Sequence, residues 1–153
     1  MADSPLINIT IRGAGVAIID AQIYAIVMPP PNAATWVAST GPAGTLVFAD
    51  QASGAVLSAR STDPGTQATA TPPRVFAAVY AWSVTAYSDS SEDDPTPVTD
   101  PSQLTSGYYA IRVPGTRQYL YRNMNEDRSL APKRVTVQPD GLDQGPLLLQ
   151  VSG

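Results

Sequence analysis

A block of fourteen residues returns three times without a gap, at 5–18, 44–57 and 107–120. Each copy reads strand, glycine-containing turn, strand, and each closes on an aliphatic residue: Ile18, Leu57 and Leu120. Further along, each copy is followed by another apolar stretch, around Trp36, Trp82 and Leu148. The chain therefore divides into three four-strand units, at about 5–40, 44–87 and 107–151. One such unit cannot bury its apolar face alone, so three must close on one another. Closure also removes open sheet edges.

The rest of the chain agrees with an all-β reading. Apolar residues at Ile7, Ile9 and Ile11 alternate with polar Asn8 and Thr10, the period of a strand with one buried face. Other strands are expected at 23–27, 33–38, 45–49, 55–59, 75–79, 81–87, 108–113, 118–122, 134–137 and 147–151. Turn signals separate them, among them Gly41-Pro42, Asp63-Pro64-Gly65, Pro114-Gly115 and Asp140-Gly141. The chain has 15 Pro and 11 Gly in 153 residues, with 14% charged residues. That is about twice the usual proline content of about 5%, which disfavours helices. About twelve strands in three units predict a β-trefoil: a six-stranded barrel closed by a triangular hairpin cap, in one domain over 1–153. The stretch 88–106 carries five acids and three prolines and one large aliphatic residue. It is expected to be a solvated linker between the second and third units.

The composition closes off several classes of function. There is no Cys and no His. That excludes a disulfide scaffold, a Cys/His zinc site, a Ser-His-Asp triad and a histidine acid/base. No catalytic residue, metal ligand or cofactor is expected. Nine Lys and Arg stand against thirteen Asp and Glu, a formal net charge of −4. A nucleic-acid binder usually carries a basic surplus. No apolar run reaches the roughly 20 residues of a membrane span. The N-terminus lacks the basic and apolar regions of a signal peptide, so a cytoplasmic or leaderless-secreted monomer is expected. The adjacent acids Glu126-Asp127 and Asp93-Asp94 do not form a glycosidase pair, which needs two fixed carboxyls about 5–9.5 Å apart.

The third unit holds the most specific string. It runs from Tyr119 through Asn123, Asn125, Glu126, Asp127, Arg128, Ser129, Leu130, Pro132, Lys133 and Val135 to Gln138-Pro139. With Gly107, Tyr109 and Ile111 upstream, it resembles the fungal (mushroom) serine protease inhibitors of β-trefoil fold, the cospin/cnispin-like family. The first unit resembles that family's second repeat through Ile11-Arg12-Gly13, Ile23 and Trp36. The second resembles its third more loosely through Thr66-Gln67 and Trp82. In the family the Glu-Asp-Arg-Ser unit comes first; here it comes last, so the chain looks circularly permuted, with 88–106 joining the old ends. Permutation is cheap where termini lie together.

The loop 123–133 is the expected binding element, since long polar loops on rigid scaffolds tend to carry function. Arg128 lies near its middle. A trypsin-like protease selects Arg or Lys through a carboxylate at the base of its S1 pocket. The resemblance implies that Arg128 occupies that pocket and that Ser129 lies beyond the scissile bond. Asn125, Glu126, Asp127 and Leu130 complete the expected protease-binding set. Glu126 and Asp127 are expected to brace the loop through backbone N–H groups or through Arg122 and Arg134. The expected partner is therefore a trypsin-like serine protease, with a defensive role implied by the family. Arg60, ahead of the turn 61–65, is a second candidate. Two alternatives stand beside this one. Sugar binding is disfavoured because the positions before Trp36, Trp82 and Leu148 lack a Gln-x-Trp pattern, and the tryptophans are expected in the core. Inhibition of papain-like cysteine proteases would use the glycine-rich turns at 13–15 and 41–44.

Overall fold

The computed structural model describes residues 6–11, 14–26, 34–72, 78–87, 95–116, 118–122, 133–139 and 147–152. Among the described residues thirteen strands run in chain order: β1 (Leu6–Ile11), β2 (Ala14–Ile19), β3 (Gln22–Ile26), β4 (Trp36–Thr40), β5 (Leu46–Asp50), β6 (Val56–Ala59) and β7 (Ala68–Thr71). They continue with β8 (Ser83–Tyr87), β9 (Thr96–Val98), β10 (Gly107–Arg112), β11 (Gln118–Arg122), β12 (Lys133–Pro139) and β13 (Leu147–Ser152). Among the described residues the only helical pieces are single 3-10 turns, Pro42–Gly44 and Pro101–Gln103. Every ladder between strands is antiparallel.

The hydrogen-bonded path runs β11-β12-β3-β7-β6-β5-β4-β1-β13-β10, and the Arg112↔Tyr119 pairing of β10 with β11 closes it. The result is a closed ten-strand barrel with β2, β8 and β9 outside the ring. This corrects the expected twelve-strand β-trefoil with its six-stranded barrel. The strands of the β6–β7 and β11–β12 hairpins enter the wall instead of forming a separate cap. They do so because β3 pairs with both β7 and β12. Alternating hydrophobicity specifies that a strand has a buried face, but not which neighbour completes its ladder.

Burial follows the alternation closely. In β1 the residues Ile7, Ile9 and Ile11 are buried, while Leu6, Asn8 and Thr10 are half-buried. Inward residues of most strands meet in one core, with Trp36, Phe48, Leu57, Trp82, Ile111, Leu120, Val135 and Leu147 among them. Each large side chain buried there contributes about 1.5–3 kcal/mol. Asn8 sits between two core isoleucines in sequence but faces outward. Its Nδ2 donates to the Ala34 carbonyl at 3.0 Å and to Thr35 Oγ1 at 3.2 Å, tying β1 to the approach of β4.

The stretch 88–106 differs from a solvated linker over the part that is described. Thr96–Val98 adds a strand to β8, with Pro97 opposite Thr85. Proline is tolerated there because β9 lies at the end of the path and makes no second ladder. Val98 and Leu104 are buried. Asp100 caps the turn Pro101–Gln103 by accepting from Ser102 N, while Gln103 Oε1 accepts from Asp100 N. Two apolar anchors and a capping box hold the described part, 95–106, of the segment expected to be a solvated linker. Of the strand expected at 75–79, the described part is Ala78 and Val79, and Val79 makes an isolated bridge to Ala59. A strand not expected, Ala68–Thr71, is built of small and β-branched residues whose alternation is muted by alanine.

Candidate functional site

The β11–β12 hairpin carries the segment singled out in the sequence. Its ladder pairs Gln118↔Pro139, Tyr119↔Gln138, Leu120↔Val137, Tyr121↔Thr136 and Arg122↔Val135. Leu120, Tyr121, Val135 and Val137 are all buried, so the roots of the loop are fixed in the core. Past the last pair, β12 turns to a new neighbour: Lys133 pairs with Ala25 and Arg134 with Tyr24 of β3. The two ends of the loop therefore rest on different strands. Gln138 Nε2 donates to Thr136 Oγ1 at 2.8 Å and to the Tyr121 carbonyl at 3.3 Å, a side-chain tie across the hairpin.

The expected protease-binding residues Asn125, Glu126, Asp127, Arg128, Ser129 and Leu130 lie outside the described residues, as do Asn123 and Pro132. What the structure gives is their support. Of the proposed braces, the Arg134 side chain is exposed at the start of β12.

Arg60 is exposed, but its setting does not suit a substrate-like contact. The residue before it, Ala59, is fully buried. Ala59 N donates to the Val79 carbonyl at 2.9 Å and Val79 N returns the bond at 3.0 Å. A protease reads the residues ahead of the scissile bond as an extended, accessible backbone, and here that backbone is already committed. The turn after Arg60 is tightly organised. Thr66 Oγ1 donates to the Asp63 carbonyl at 2.7 Å, Asp63 N donates to Ser61 Oγ at 3.1 Å, and the two hydroxyls meet at 2.9 Å. Gly65, with φ of +88°, donates its N–H to the Val137 carbonyl at 2.8 Å, and Val137 N donates to the Thr66 carbonyl at 2.9 Å. This link between the turn and β12 was not anticipated, although Ser61-Thr-Asp-Pro-Gly-Thr66 is a recognisable turn sequence.

The alternative sites fare differently. Trp36 and Trp82 are both fully buried, and Trp82 Nε1 donates to the Leu57 carbonyl at 2.9 Å. They are core residues, so neither presents a face to a sugar. At the glycine-rich turn 41–44, Pro42, Ala43 and Gly44 are exposed, and Ala43 holds a positive φ of 55°. Thr45 Oγ1 donates to the Pro42 carbonyl at 2.6 Å and fixes this turn. Gly13 of the other turn lies outside the described residues. A hollow of about 340 Å³ opens between Pro42, Thr62, Tyr80 and Pro114. Among the described residues no group of His, Cys, Asp or Glu is placed to hold a metal ion. The Asp100 carboxyl is held below its usual value, chiefly by the Ser102 N–H.

Residues 102–152 match the model of the family described as Peptidase inhibitor I66. The match spans a third of the chain and includes all of β10, β11, β12 and β13. It supports protease inhibition, a non-enzymatic role and a protease as partner. No curated protein matches the chain.

Proposed function

We propose that the chain inhibits a trypsin-like serine protease, presenting Arg128 of the loop 123–133 to the S1 pocket. The observation that carries this reading is that the family match and the arginine string fall on one hairpin. The inhibitor-family match covers 102–152, and the only Arg in the 123–132 segment sits in the loop of the β11–β12 hairpin within that match. In S1 the guanidinium would make a bidentate, charge-assisted pair with the pocket carboxylate. Ser129 follows the scissile bond, and Asn125, Glu126, Asp127 and Leu130 line the contact on either side.

Inhibition differs from cleavage in the rigidity of the loop, since a preorganised loop loses little entropy on binding. The roots of the loop have that rigidity: β11 and β12 are paired over five positions, and their inward residues are buried. We also infer that the chain is permuted relative to the cospin/cnispin-like inhibitors. In support, Tyr87 lies opposite Tyr108, so the two sides of the segment 88–106 are neighbours in the sheet. Leu6 likewise lies opposite Ser152.

Titrating bovine trypsin with the purified chain tests the reading. Stoichiometric loss of activity toward a small arginine substrate is expected. Full trypsin activity in the presence of excess folded chain would sink it. Papain would then be the next enzyme to titrate, because the fixed and exposed turn 41–44 favours the cysteine-protease alternative.

A further inference from the structure

Hairpin loops with an accessible arginine are ordinarily cut by trypsin, and a cut here would leave residues 129–153 as a separate piece. That piece contains β12 and β13. What keeps it in place decides whether the chain behaves as inhibitor or substrate. β12 lies between β11 on one side and three different neighbours on the other. Those are β3 at Lys133 and Arg134, Gln67 opposite Thr136, and the turn residues 65–66 at Val137. At Val137 both backbone polar groups point away from β11: the N–H goes to the Thr66 carbonyl and the carbonyl accepts from Gly65 N. Leu120↔Val137 is therefore a non-hydrogen-bonded pair, and the turn supplies the missing bonds. Gln67 Nε2 adds a bond to the Ile23 carbonyl at 3.1 Å, joining turn and β3.

We propose that the turn 61–66 is a clamp on the strand that follows the inhibitory loop, with Ser61 and Thr66 as its positioning residues. Their hydroxyls lie 2.9 Å apart and hold the turn in the shape that puts Gly65 N and the Thr66 carbonyl opposite Val137. The inference rests on Arg128 as the residue read by the protease. Hydrolysis at Arg128–Ser129 breaks the bond between the Arg128 carbonyl carbon and the Ser129 nitrogen and takes up one water. It leaves a carboxylate on one piece and an ammonium group on the other. In the reverse direction water leaves as the Arg128 carboxylate forms an ester with the protease serine. The deprotonated Ser129 amine then attacks that ester, re-forms the peptide bond and frees the serine. Religation requires that Ser129 stay beside Arg128, and that is what retention of β12 provides.

The test follows inhibition of trypsin over hours by the wild-type chain and the Ser61→Ala/Thr66→Val variant, with mass spectrometry of the nicked chain. The variant should inhibit as well as wild type at first and then lose inhibition about tenfold faster, with nicked chain accumulating as β12 loosens and Ser129 leaves Arg128, while β13 stays paired with β1 and β10. Thr66→Ser should restore wild-type persistence. A variant as persistent as wild type overturns the clamp. So does one that is weaker from the first minute with an unchanged decay. If the double variant does not fold, Ser61→Ala alone carries the same comparison. If trypsin neither binds nor cuts the wild-type chain, the Arg128 reading fails by itself. The clamp is then decided by amide exchange at Val137, which must speed up at least about tenfold in the variant, and unchanged exchange refutes it.

Discussion

Trp36 and Trp82 stand at related places in successive units and are equally buried, yet only Trp82 finds a partner for its indole N–H among the described residues. Replacing each by Phe removes similar apolar volume. Only Trp82→Phe also takes a donor from the Leu57 carbonyl, whereas Trp36→Phe deletes an N–H with no partner among the described residues. An unpaired buried polar group costs about 1–3 kcal/mol. Urea denaturation should therefore show Trp82→Phe to be the more destabilising change by about that amount. A second residue-scale prediction concerns the two-residue turn between β2 and β3. Asp20 and Ala21 both hold positive φ, at 51° and 63°, in the pattern that hairpin turns fill with Asn-Gly or Asp-Gly. A left-handed conformation costs an alanine about 1 kcal/mol relative to glycine. Ala21→Gly should accordingly raise unfolding free energy by about 0.5–1 kcal/mol, read as a shift in urea midpoint at constant slope. The Ala21 carbonyl accepts from Ala70 N, a backbone bond that glycine keeps.

At the scale of elements, the strands with strict alternation were legible and those without it were not. β1, observed over Leu6–Ile11, announces itself through isoleucines at every second position. β7, built as Ala-Thr-Ala-Thr, carries too little apolar contrast to announce itself, and β9 lies in a segment whose acids and prolines outweigh one buried valine. The turn that follows β9 gives a pH-dependent prediction. The Asp100 carboxylate accepts from Ser102 N and Ser102 Oγ, and these bonds hold its pKa below 3.8. A depressed carboxyl contributes stability that is full above its unfolded pKa and is lost as pH falls through its lower folded value. The stability difference between wild type and Asp100→Ala should thus be constant near neutrality and shrink below about pH 3.8, the ordinary value. Acid titration followed by circular dichroism checks this, and a difference unchanged down to pH 2 contradicts it.

For the whole molecule, repetition of a fourteen-residue block showed that three units must close, and closure is observed. The number of strands in the ring was not legible. Ladder partners such as β3 with β12 lie more than a hundred residues apart, and nothing local in Gln22–Ile26 names Lys133–Pro139 as neighbour. The proposed site rests on a string of residue types around Arg128, whereas the pairing of the strands and turn that flank it could not be read from sequence. The turn 61–66 reaches β12 only because the fold brings them together. The two arginines named from sequence stand differently: Arg60 follows a fully buried, doubly bonded Ala59, whereas Arg128 falls in the stretch between β11 and β12, outside the described residues. The most direct measurement is the inhibition constant toward trypsin for wild type, Arg128→Ala and Arg60→Ala, each first shown to be folded. Arg128→Ala should weaken inhibition by about a thousandfold or more, the size of a truncated hot spot of about 4 kcal/mol. Arg60→Ala should leave it unchanged. Inhibition that survives Arg128→Ala would contradict the account, and its loss in Arg60→Ala would move the site to the other hairpin.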